Sequence, residues 1–248
     1  MEVIGIAGSA KAGKTTCSNF IVGQKMLSMG MIDGFELNEQ GKLLVQAEEI
    51  QSDETIEKVV REFNPKNNVR NPEFELWASR DLWPHVKVYS LADPFKFFMM
   101  DTFGLTAEQC FGEDKYTDTN LQWERVQFLP GVKKKKGALT AREAMEVVGS
   151  CFIRQIDEDT LINALLLKLS QERPALAVVD DVRADFEAAG LQGIGGKIIR
   201  LTRGEKRNIS EQTIDKIKED FLLDNADMTI QESSEALFET LKGWEYGV

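Results

Sequence analysis

The amino-acid sequence predicts an α/β fold in three layers, with a mostly parallel sheet between helices and with an inserted segment. Short, continuous apolar runs rich in β-branched residues alternate with longer amphipathic stretches, which is the pattern of buried parallel strands joined by helices. The first apolar run ends at a glycine-rich turn that leads into a helical pattern, as in half of a βαβ unit. A chain of 248 residues, 42% of them hydrophobic, is long enough to bury such a core.

The strands of the predicted sheet are short apolar runs that stop at glycine, aspartate or a polar turn. We expect them at residues 3–7, 86–91, 176–179, 198–201 and 228–230. Helices are expected where apolar residues recur at helical spacing, at residues 15–29, 95–103, 156–169 and 233–241, with a further helix from Ser210. Another helix is expected to begin after Thr140, because Thr140 and Glu143 have the spacing of a capping box.

Residues 30–84 are predicted to form an insertion on this core. Two short apolar segments, residues 35–37 and 43–45, flank the turn residues 38–41 and predict a hairpin. Apolar residues at roughly helical spacing predict an amphipathic helix over residues 48–63. Residues 112–138 are polar and irregular and include four consecutive lysines, so we interpret them as a mobile lid or an acceptor region of a single domain, 1–248.

Composition and charge exclude several classes of function. The chain has 41 acidic and 30 basic residues, a net charge of −11 and a pI near 4.8, which argues against a sequence-independent grip on nucleic acid. Three widely spaced cysteines and one histidine leave little material for a disulfide framework, a zinc site or a Ser-His-Asp triad. No apolar run approaches the ~20 residues of a membrane span. We therefore expect a cytoplasmic protein without a membrane partner.

The segment that indicates a nucleotide-binding protein is a glycine loop between the first predicted strand and the first predicted helix. Residues 8–15 read Gly-Ser-Ala-Lys-Ala-Gly-Lys-Thr and match G-x-x-x-x-G-K-[ST] at every fixed position. In such a loop, backbone N–H groups and the N-terminus of the following helix bind phosphate oxygens. The expected ATP site comprises the loop and the next threonine: Gly8, Ser9, Ala10, Lys11, Ala12, Gly13, Lys14, Thr15 and Thr16.

Two residues of the loop and two acidic residues further along the chain have expected roles at the phosphates. Lys14 is expected to reach the β- and γ-phosphates, and the hydroxyl of Thr15 is expected to ligate Mg²⁺. A magnesium nucleotide also needs a carboxylate at a neighbouring strand end. Asp180 and Asp181 follow the strand predicted at residues 176–179, and we expect one of the two to face the magnesium shell or the acceptor.

With these motifs the sequence resembles the bacteriophage deoxynucleoside monophosphate kinases, a P-loop family with the nucleoside-monophosphate-kinase fold. The matching pieces beyond the loop are Leu-Ala-Asp-Pro-Phe-Lys at 91–96, Arg142 with Gly149-Ser150, and Asp-Val-Arg at 181–183 with Glu187. Residues 199–204, Ile-Arg-Leu-Thr-Arg-Gly, are similar to the strand and basic turn near the ATP base in that family. The match covers about two thirds of the chain and leaves out the insertion at 30–84.

The resemblance implies that the γ-phosphoryl group of ATP, with Mg²⁺ as cofactor, is transferred to a deoxynucleoside monophosphate. It places Arg203 near ATP, and it places at the acceptor Lys96, Arg142, Gly149, Ser150, Asp181, Arg183 and Glu187. Lys14, Arg142 and Arg183 would then stabilise charge on the transferring group, and Thr15 and Asp181 would hold the metal. Thr117 stands where the family has an arginine, and Ile162 stands where one branch has a bulky aromatic, so the identity of the acceptor stays open.

Asp93 keeps a second kind of acceptor open. It follows the second predicted strand of the sheet, where P-loop kinases that act on alcohols carry a carboxylate base. A hydroxyl acceptor gains from such a base, whereas a phosphate acceptor is already anionic. The alternative acceptor is the hydroxyl of a hydroxymethylated pyrimidine, 5-hydroxymethyluracil, in phage DNA, which would make DNA a partner. A non-kinase P-loop ATPase or assembly factor is a third interpretation, and formation of a homodimer is also left open.

Overall fold

The chain forms two compact units, each assembled from separate segments. The structure, a computed structural model, describes residues 1–50, 56–66, 71–132, 135–204 and 213–247. Unit 1 comprises Met1–Lys66, Leu76–Ser90 and Leu169–Val248, and unit 2 comprises Asn67–Glu75 and Leu91–Lys168. Among the described residues, no helix is long and apolar enough to cross a membrane.

The main sheet of unit 1 has five parallel strands. They are β1 (Glu2–Ala7), β5 (Val86–Tyr89), β8 (Leu176–Val182), β9 (Lys197–Leu201) and β10 (Phe221–Leu223). Their order across the sheet is β10-β9-β1-β8-β5. The predicted strands at 3–7, 86–91, 176–179 and 198–201 are confirmed as β1, β5, β8 and β9. The strand predicted at residues 228–230 is wrong, because Thr229 caps a helix there and the fifth strand lies earlier in the chain.

The described residues also form ten α-helices, which belong partly to unit 1 and partly to unit 2. They are α1 (Lys14–Ser28), α2 (Pro72–Asp81), α3 (Asp93–Phe103), α4 (Ala107–Phe111), α5 (Trp123–Val126), α6 (Ala141–Glu146), α7 (Arg154–Ile156), α8 (Thr160–Glu172), α9 (Asp185–Gly193) and α10 (Ile230–Gly243). The helices predicted at 15–29, 95–103, 156–169 and 233–241 are confirmed as α1, α3, α8 and α10, with shifted ends. The helix predicted from Ser210 begins outside the described residues.

Helices flank the parallel sheet because its central strands are apolar on both faces. Ile4, Ile6, Val178 and Ile199 are fully buried, as expected for continuous apolar runs in a parallel sheet. Helix α1 contributes the buried Phe20, Ile21 and Val22. Each flanking helix therefore covers apolar surface that the strands cannot bury among themselves.

A second, antiparallel sheet in unit 1 forms most of the predicted insertion. Its strands are β2 (Gly34–Leu37), β3 (Leu43–Ile50) and β4 (Ile56–Phe63), in the order β2-β3-β4. The predicted hairpin is confirmed, with Phe35 opposite Val45 and Leu37 opposite Leu43. The helix predicted over residues 48–63 is wrong in its described part, because residues 48–50 end β3 and residues 56–63 form β4, with Phe63 opposite Leu43. Residues 51–55 of that prediction lie outside the described residues.

The hairpin turn of this second sheet packs against the first turns of α1. The side-chain amide of Asn19 is buried and donates from Nδ2 to the carbonyl oxygen of Gly41, at 2.9 Å. Gly41 has a φ of 74°, and a Cβ on it would lie 2.1 Å from Oγ1 of Thr16. Any larger residue would push the turn away from the helix. The second sheet is therefore fixed to the segment that follows the glycine loop.

Unit 2 is mainly helical and contains one small sheet. Strands β6 (Asp118–Gln122) and β7 (Ala138–Thr140) pair antiparallel, and a π-helical turn, Val147–Ile153, follows α6. The capping box predicted at Thr140 and Glu143 is confirmed, since each side chain accepts from the other residue's backbone N–H. Met99, Trp123 and Leu139 belong to one buried cluster that joins α3, α5 and β7. Of the lysine run at 133–136, the first two members lie outside the described residues.

Candidate active site

The glycine loop connects the central strand β1 to helix α1 of unit 1. Gly13 occupies the N-cap position of α1 with a φ of 98°, a left-handed conformation that glycine adopts without strain. Lys11 is also left-handed, with a φ of 62°, and its side chain is exposed. The first N–H groups of a helix have no acceptor within the helix. The loop thus presents donors and an exposed lysine at the carboxyl end of β1.

The ammonium group of Lys14 is held by the loop itself. Its Nζ donates to the carbonyl oxygens of Gly8 at 2.7 Å and of Ser9 at 2.6 Å. Thr15, the next residue, is exposed at the surface of the first helical turn. Cys17 is buried, and burial raises the pKa of its thiol to about 12, so the thiol stays protonated near neutral pH. The reactive groups near the loop are therefore an amine and hydroxyls.

A second loop, which follows β9, is tied to the glycine loop. Oγ of Ser9 donates to the carbonyl oxygen of Arg203 at 3.3 Å. The guanidinium of Arg203 donates from Nη2 to the carbonyl oxygen of Met228, close to the start of α10. The buried side chain of Asn225 links both segments, because its amide contacts Ala12 and Arg203. Arg203 thus lies next to the glycine loop; its predicted place near ATP stays a prediction.

Two adjacent carboxylates lie at the carboxyl end of β8, beside β1. Gly5 is opposite Val179 and Ala7 is opposite Val182, so the register between β1 and β8 shifts at Asp180 and Asp181. An irregularity of this kind re-aims side chains and is common next to active sites. The strand runs through both residues and ends at Val182, three positions further than predicted.

The two carboxylates have different partners within unit 1. Asp180 is buried and accepts from Nζ of Lys66 at 3.0 Å, where Lys66 follows the last strand of the second sheet. Asp181 is half-buried and accepts from Oγ of Ser90 at 2.5 Å. Ser90 directly follows β5, the strand on the other side of β8. Two residues of unit 1, one after β4 and one after β5, therefore contact the carboxylates of β8.

Arg183 and Glu187 lie at the start of α9, directly after β8. The carboxylate of Glu187 is buried, and its Oε2 accepts from the backbone N–H groups of Arg183 at 2.8 Å and Ala184 at 3.0 Å. Glu187 therefore caps this helix, a structural role beside the predicted role at the acceptor. The side chain of Arg183 is half-buried.

The strand order places these groups at a topological switch point. The chain leaves β1 through α1 towards β5, and it leaves β8 through α9 towards β9, on the opposite side of β1. Right-handed crossovers in opposite directions place the two helices on opposite faces of the sheet. In open α/β sheets, ligands bind in the crevice that such a divergence leaves at the carboxyl ends of the strands. The glycine loop and the two aspartates border this crevice.

The other predicted site residues belong to unit 2. Asp93 is the first residue of α3, with Pro94 next to it, and Nζ of Lys96 lies 4.5 Å from the centroid of the Phe111 ring. Nε of Arg142 on α6 pairs with Oε1 of Glu146 at 3.1 Å, one turn along the helix. Gly149 and Ser150 lie in the π-helical turn that follows α6. A Cβ on Gly149 would contact the ring of Phe95 at 3.3 Å, so α3 and the π-helical turn approach closely there.

Unit 1 carries oxygen donors at the glycine loop and at the end of β8. The described part of the chain contains no group of three or more His, Cys, Asp and Glu residues that could form a closed metal cage. Mg²⁺ does not require one, because it keeps several waters and takes one or two carboxylates together with phosphate oxygens. Asp181 and the hydroxyl of Thr15 are oxygen donors of this type.

Three residues that contact this site were not predicted from the sequence: Lys66, Ser90 and Asn225. Ser90 was included in a predicted strand, and its place at the strand end was a usable signal. Lys66 and Asn225 lie in polar loops, where nothing local distinguishes them from solvated residues. Comparison with known proteins adds no further assignment, since neither a protein-family profile nor a curated protein matches the chain.

Proposed function

We propose that this chain is a P-loop kinase that transfers the γ-phosphoryl group of ATP to a deoxynucleoside monophosphate. One observation carries the proposal: the glycine loop with Lys14 and the aspartate pair at 180–181 border the same switch-point crevice. A phosphate-binding loop and a carboxylate at the neighbouring strand end are the two parts that a magnesium nucleotide needs. The resemblance to the phage kinases adds the acceptor.

The donor half of the proposal assigns a role to each group of the loop. Polyphosphate oxygens would replace the carbonyl oxygens of Gly8 and Ser9 as acceptors for the ammonium of Lys14. The hydroxyl of Thr15 and the carboxylate of Asp181 would hold Mg²⁺, which neutralises charge on the phosphates when bound. Ser90 orients Asp181 through its hydrogen bond. Arg203 lies beside the loop and would contact the nucleotide on the side away from β8.

In the transfer step, an oxygen of the acceptor phosphate attacks the γ-phosphorus, and the bond from this phosphorus to the β,γ-bridging oxygen breaks to release ADP. No proton has to be removed from an anionic acceptor, so catalysis consists of positioning and stabilisation of the charge. Arg183, Arg142 and Lys96 are the cations that the resemblance assigns to this work. Removing one such charge-assisted contact costs about 1.5–3 kcal/mol.

Coupled assays with ATP and each deoxynucleoside monophosphate test the proposal directly. Lys14→Ala is expected to remove nearly all transfer while leaving the melting temperature almost unchanged, because the half-exposed ammonium contributes to phosphate binding more than to packing. The matched control is Lys218→Ala, an exposed lysine near the last strand of the sheet. Absence of turnover with all the monophosphates would refute the proposal. A Lys14→Ala variant that keeps a tenth of the wild-type rate would refute the donor assignment.

A kinase for the hydroxymethyl group of a modified pyrimidine in DNA is a second candidate. The specific observation is Asp93, whose half-buried carboxylate begins α3, where it could serve as a general base for a hydroxyl. Transfer of labelled phosphate from ATP to duplex DNA that contains 5-hydroxymethyluracil distinguishes the two candidates. Labelling of this DNA without turnover of free monophosphates would favour the second.

A further inference from the structure

We propose that Lys66, supplied by the second sheet, is a positioning residue that cancels the charge of Asp180 beside the phosphate loop. This inference rests on the proposed function, since it concerns the binding of a polyphosphate at the same crevice. The pair is close, with 3.0 Å between Nζ and Oδ1. It is also withdrawn from water, because the Lys66 side chain is 17% exposed and that of Asp180 is 8% exposed.

The location of the pair sets it apart from the surface ion pairs of unit 1. Asp180 lies where the register between β1 and β8 shifts, and β1 continues directly into the glycine loop. The ion pair between Lys42 and Glu62 in the second sheet has the same 3.0 Å separation, but its side chains are 49% and 51% exposed. Charge at an exposed pair is screened by water, whereas charge at the Lys66 pair acts through a medium of lower dielectric.

Electrostatics gives the pair its function. Two adjacent carboxylates at the carboxyl end of β8 would repel a nucleotide polyphosphate, which carries several negative charges. Lys66 balances the charge of Asp180, so the group formed by the two carboxylates and the ammonium has a net charge of −1 and not −2. The second sheet fixes Lys66 in place, because its turn packs on α1 through Gly41 and Asn19 and its last strand ends just before Lys66.

The effect of Lys66 on nucleotide affinity can be measured with ADP in the presence of EDTA, which chelates any divalent metal ion. Titration calorimetry on the full chain is expected to show a Kd for ADP that rises roughly tenfold in Lys66→Met, because the variant loses one positive charge beside Asp180 and the phosphates are repelled more strongly. Lys66→Arg keeps the charge and should stay near the wild-type value. Lys42→Met, the matched control in the same sheet, should do the same.

A double variant separates a role through Asp180 from every other role of Lys66. In Lys66→Met/Asp180→Asn both charges are gone, so the Kd for ADP should return to within about threefold of the wild-type value. Asp180→Asn alone leaves the cation and should bind ADP at least as tightly as the wild type. Removal of one partner of a buried pair is strongly destabilising. If Lys66→Met fails to fold for this reason, the double variant and Asp180→Asn still test the inference.

Each other outcome overturns the inference. A Lys66→Met variant that binds ADP as the wild type does would show that the pair has no effect on the nucleotide. A double variant as weak as Lys66→Met would show that Lys66 acts on the phosphates or on the fold directly, and a weaker Asp180→Asn would give the wrong sign. In these three cases the proposed function stands, whereas a wild-type chain that binds no ADP, either in EDTA or with Mg²⁺, would refute both.

Discussion

Asn225 bridges the two loops of the candidate site: its Nδ2 donates to the carbonyl oxygen of Ala12 at 2.9 Å. Its Oδ1 accepts from the backbone N–H of Arg203 at 3.0 Å, and the residue is 3% exposed. One buried amide therefore satisfies a carbonyl of the glycine loop and an N–H of the loop after β9. The shape of the glycine loop depends on a residue that lies more than 200 positions further along the chain.

Replacement of this amide is expected to lower stability as well as nucleotide binding. Asn225→Ala leaves the Ala12 carbonyl and the Arg203 N–H without this partner, and an unsatisfied buried group costs about 1–3 kcal/mol. Urea unfolding measures the loss. The control is Asn120→Ala at an exposed position of β6, which should change the free energy of unfolding by less than about 0.5 kcal/mol. Equal stability of the two variants would contradict the bridging role.

Arg183→Ala tests the assignment of Arg183 to the acceptor. The variant should lower kcat/KM for the acceptor by roughly tenfold to over a hundredfold, the effect of losing a charge-assisted contact to a phosphate. The affinity for ATP should change little, because Arg183 follows β8 and does not belong to the glycine loop. Steady-state kinetics with each substrate varied in turn separates the two effects. A loss confined to the affinity for ATP would move Arg183 to the donor side.

Asp93→Asn distinguishes a phosphate acceptor from a hydroxyl acceptor. With a deoxynucleoside monophosphate the change should cost little, since no proton has to be removed. With a hydroxyl acceptor the loss of a general base should reduce kcat by about 10²–10⁴-fold. Asp101→Asn, at an exposed position of the same helix, is the control for a change of charge on α3. A reduction of kcat of this size in Asp93→Asn would favour the modified-DNA substrate over the monophosphate.

The cap of α6 is expected to weaken in acid. Lys135, with Nζ at 2.7 Å from Oε1 of Glu143, is the main cause that holds the pKa of Glu143 below its ordinary value, and hydrogen bonds from Thr140 add to it. Because the pKa is lower in the folded state, the stabilisation is present above the ordinary glutamate pKa and is lost as pH falls through the lowered one. Glu143→Gln should therefore cost less than about 1 kcal/mol near neutral pH and nothing at low pH.

Urea unfolding over this pH range measures the difference between the wild type and Glu143→Gln. Lys135→Met should produce a loss of the same sign, and the double variant should lose less than the sum of the two single changes. A difference between wild type and Glu143→Gln that persists unchanged at low pH would show that packing, and not the ionised carboxylate, explains it.

The parallel sheet could be predicted because its strands carry their own signals. Residues 3–7 and 176–179 are short apolar runs that stop at a glycine or an aspartate, and a match at every fixed position located the loop that follows β1. The capping box at Thr140 is a local pattern and was found in the same way. The same pattern at Thr229 and Glu232 starts α10 and was overlooked in favour of a strand.

The segments that could not be predicted depend on partners distant in the sequence. In β4, the spacing of Ile56, Val59 and Phe63 also suits a helix. The segment is a strand because it pairs with β3, which lies earlier in the chain. Strand β10 has three residues, too few for a periodic pattern, and it exists because β9 provides an edge for it. The contact between Lys66 and Asp180 likewise joins two segments whose proximity follows from the fold alone.

The central position of β1 imposes an order on folding. Glu2 pairs in register with Leu176, and Ile4 pairs with Lys197, so the middle of the sheet closes only after most of the chain has left the ribosome. The hairpin of β2 and β3 closes over a short turn and can form much earlier. Until β8 and β9 emerge, both edges of β1 lack their partner strands, which exposes the nascent chain to aggregation.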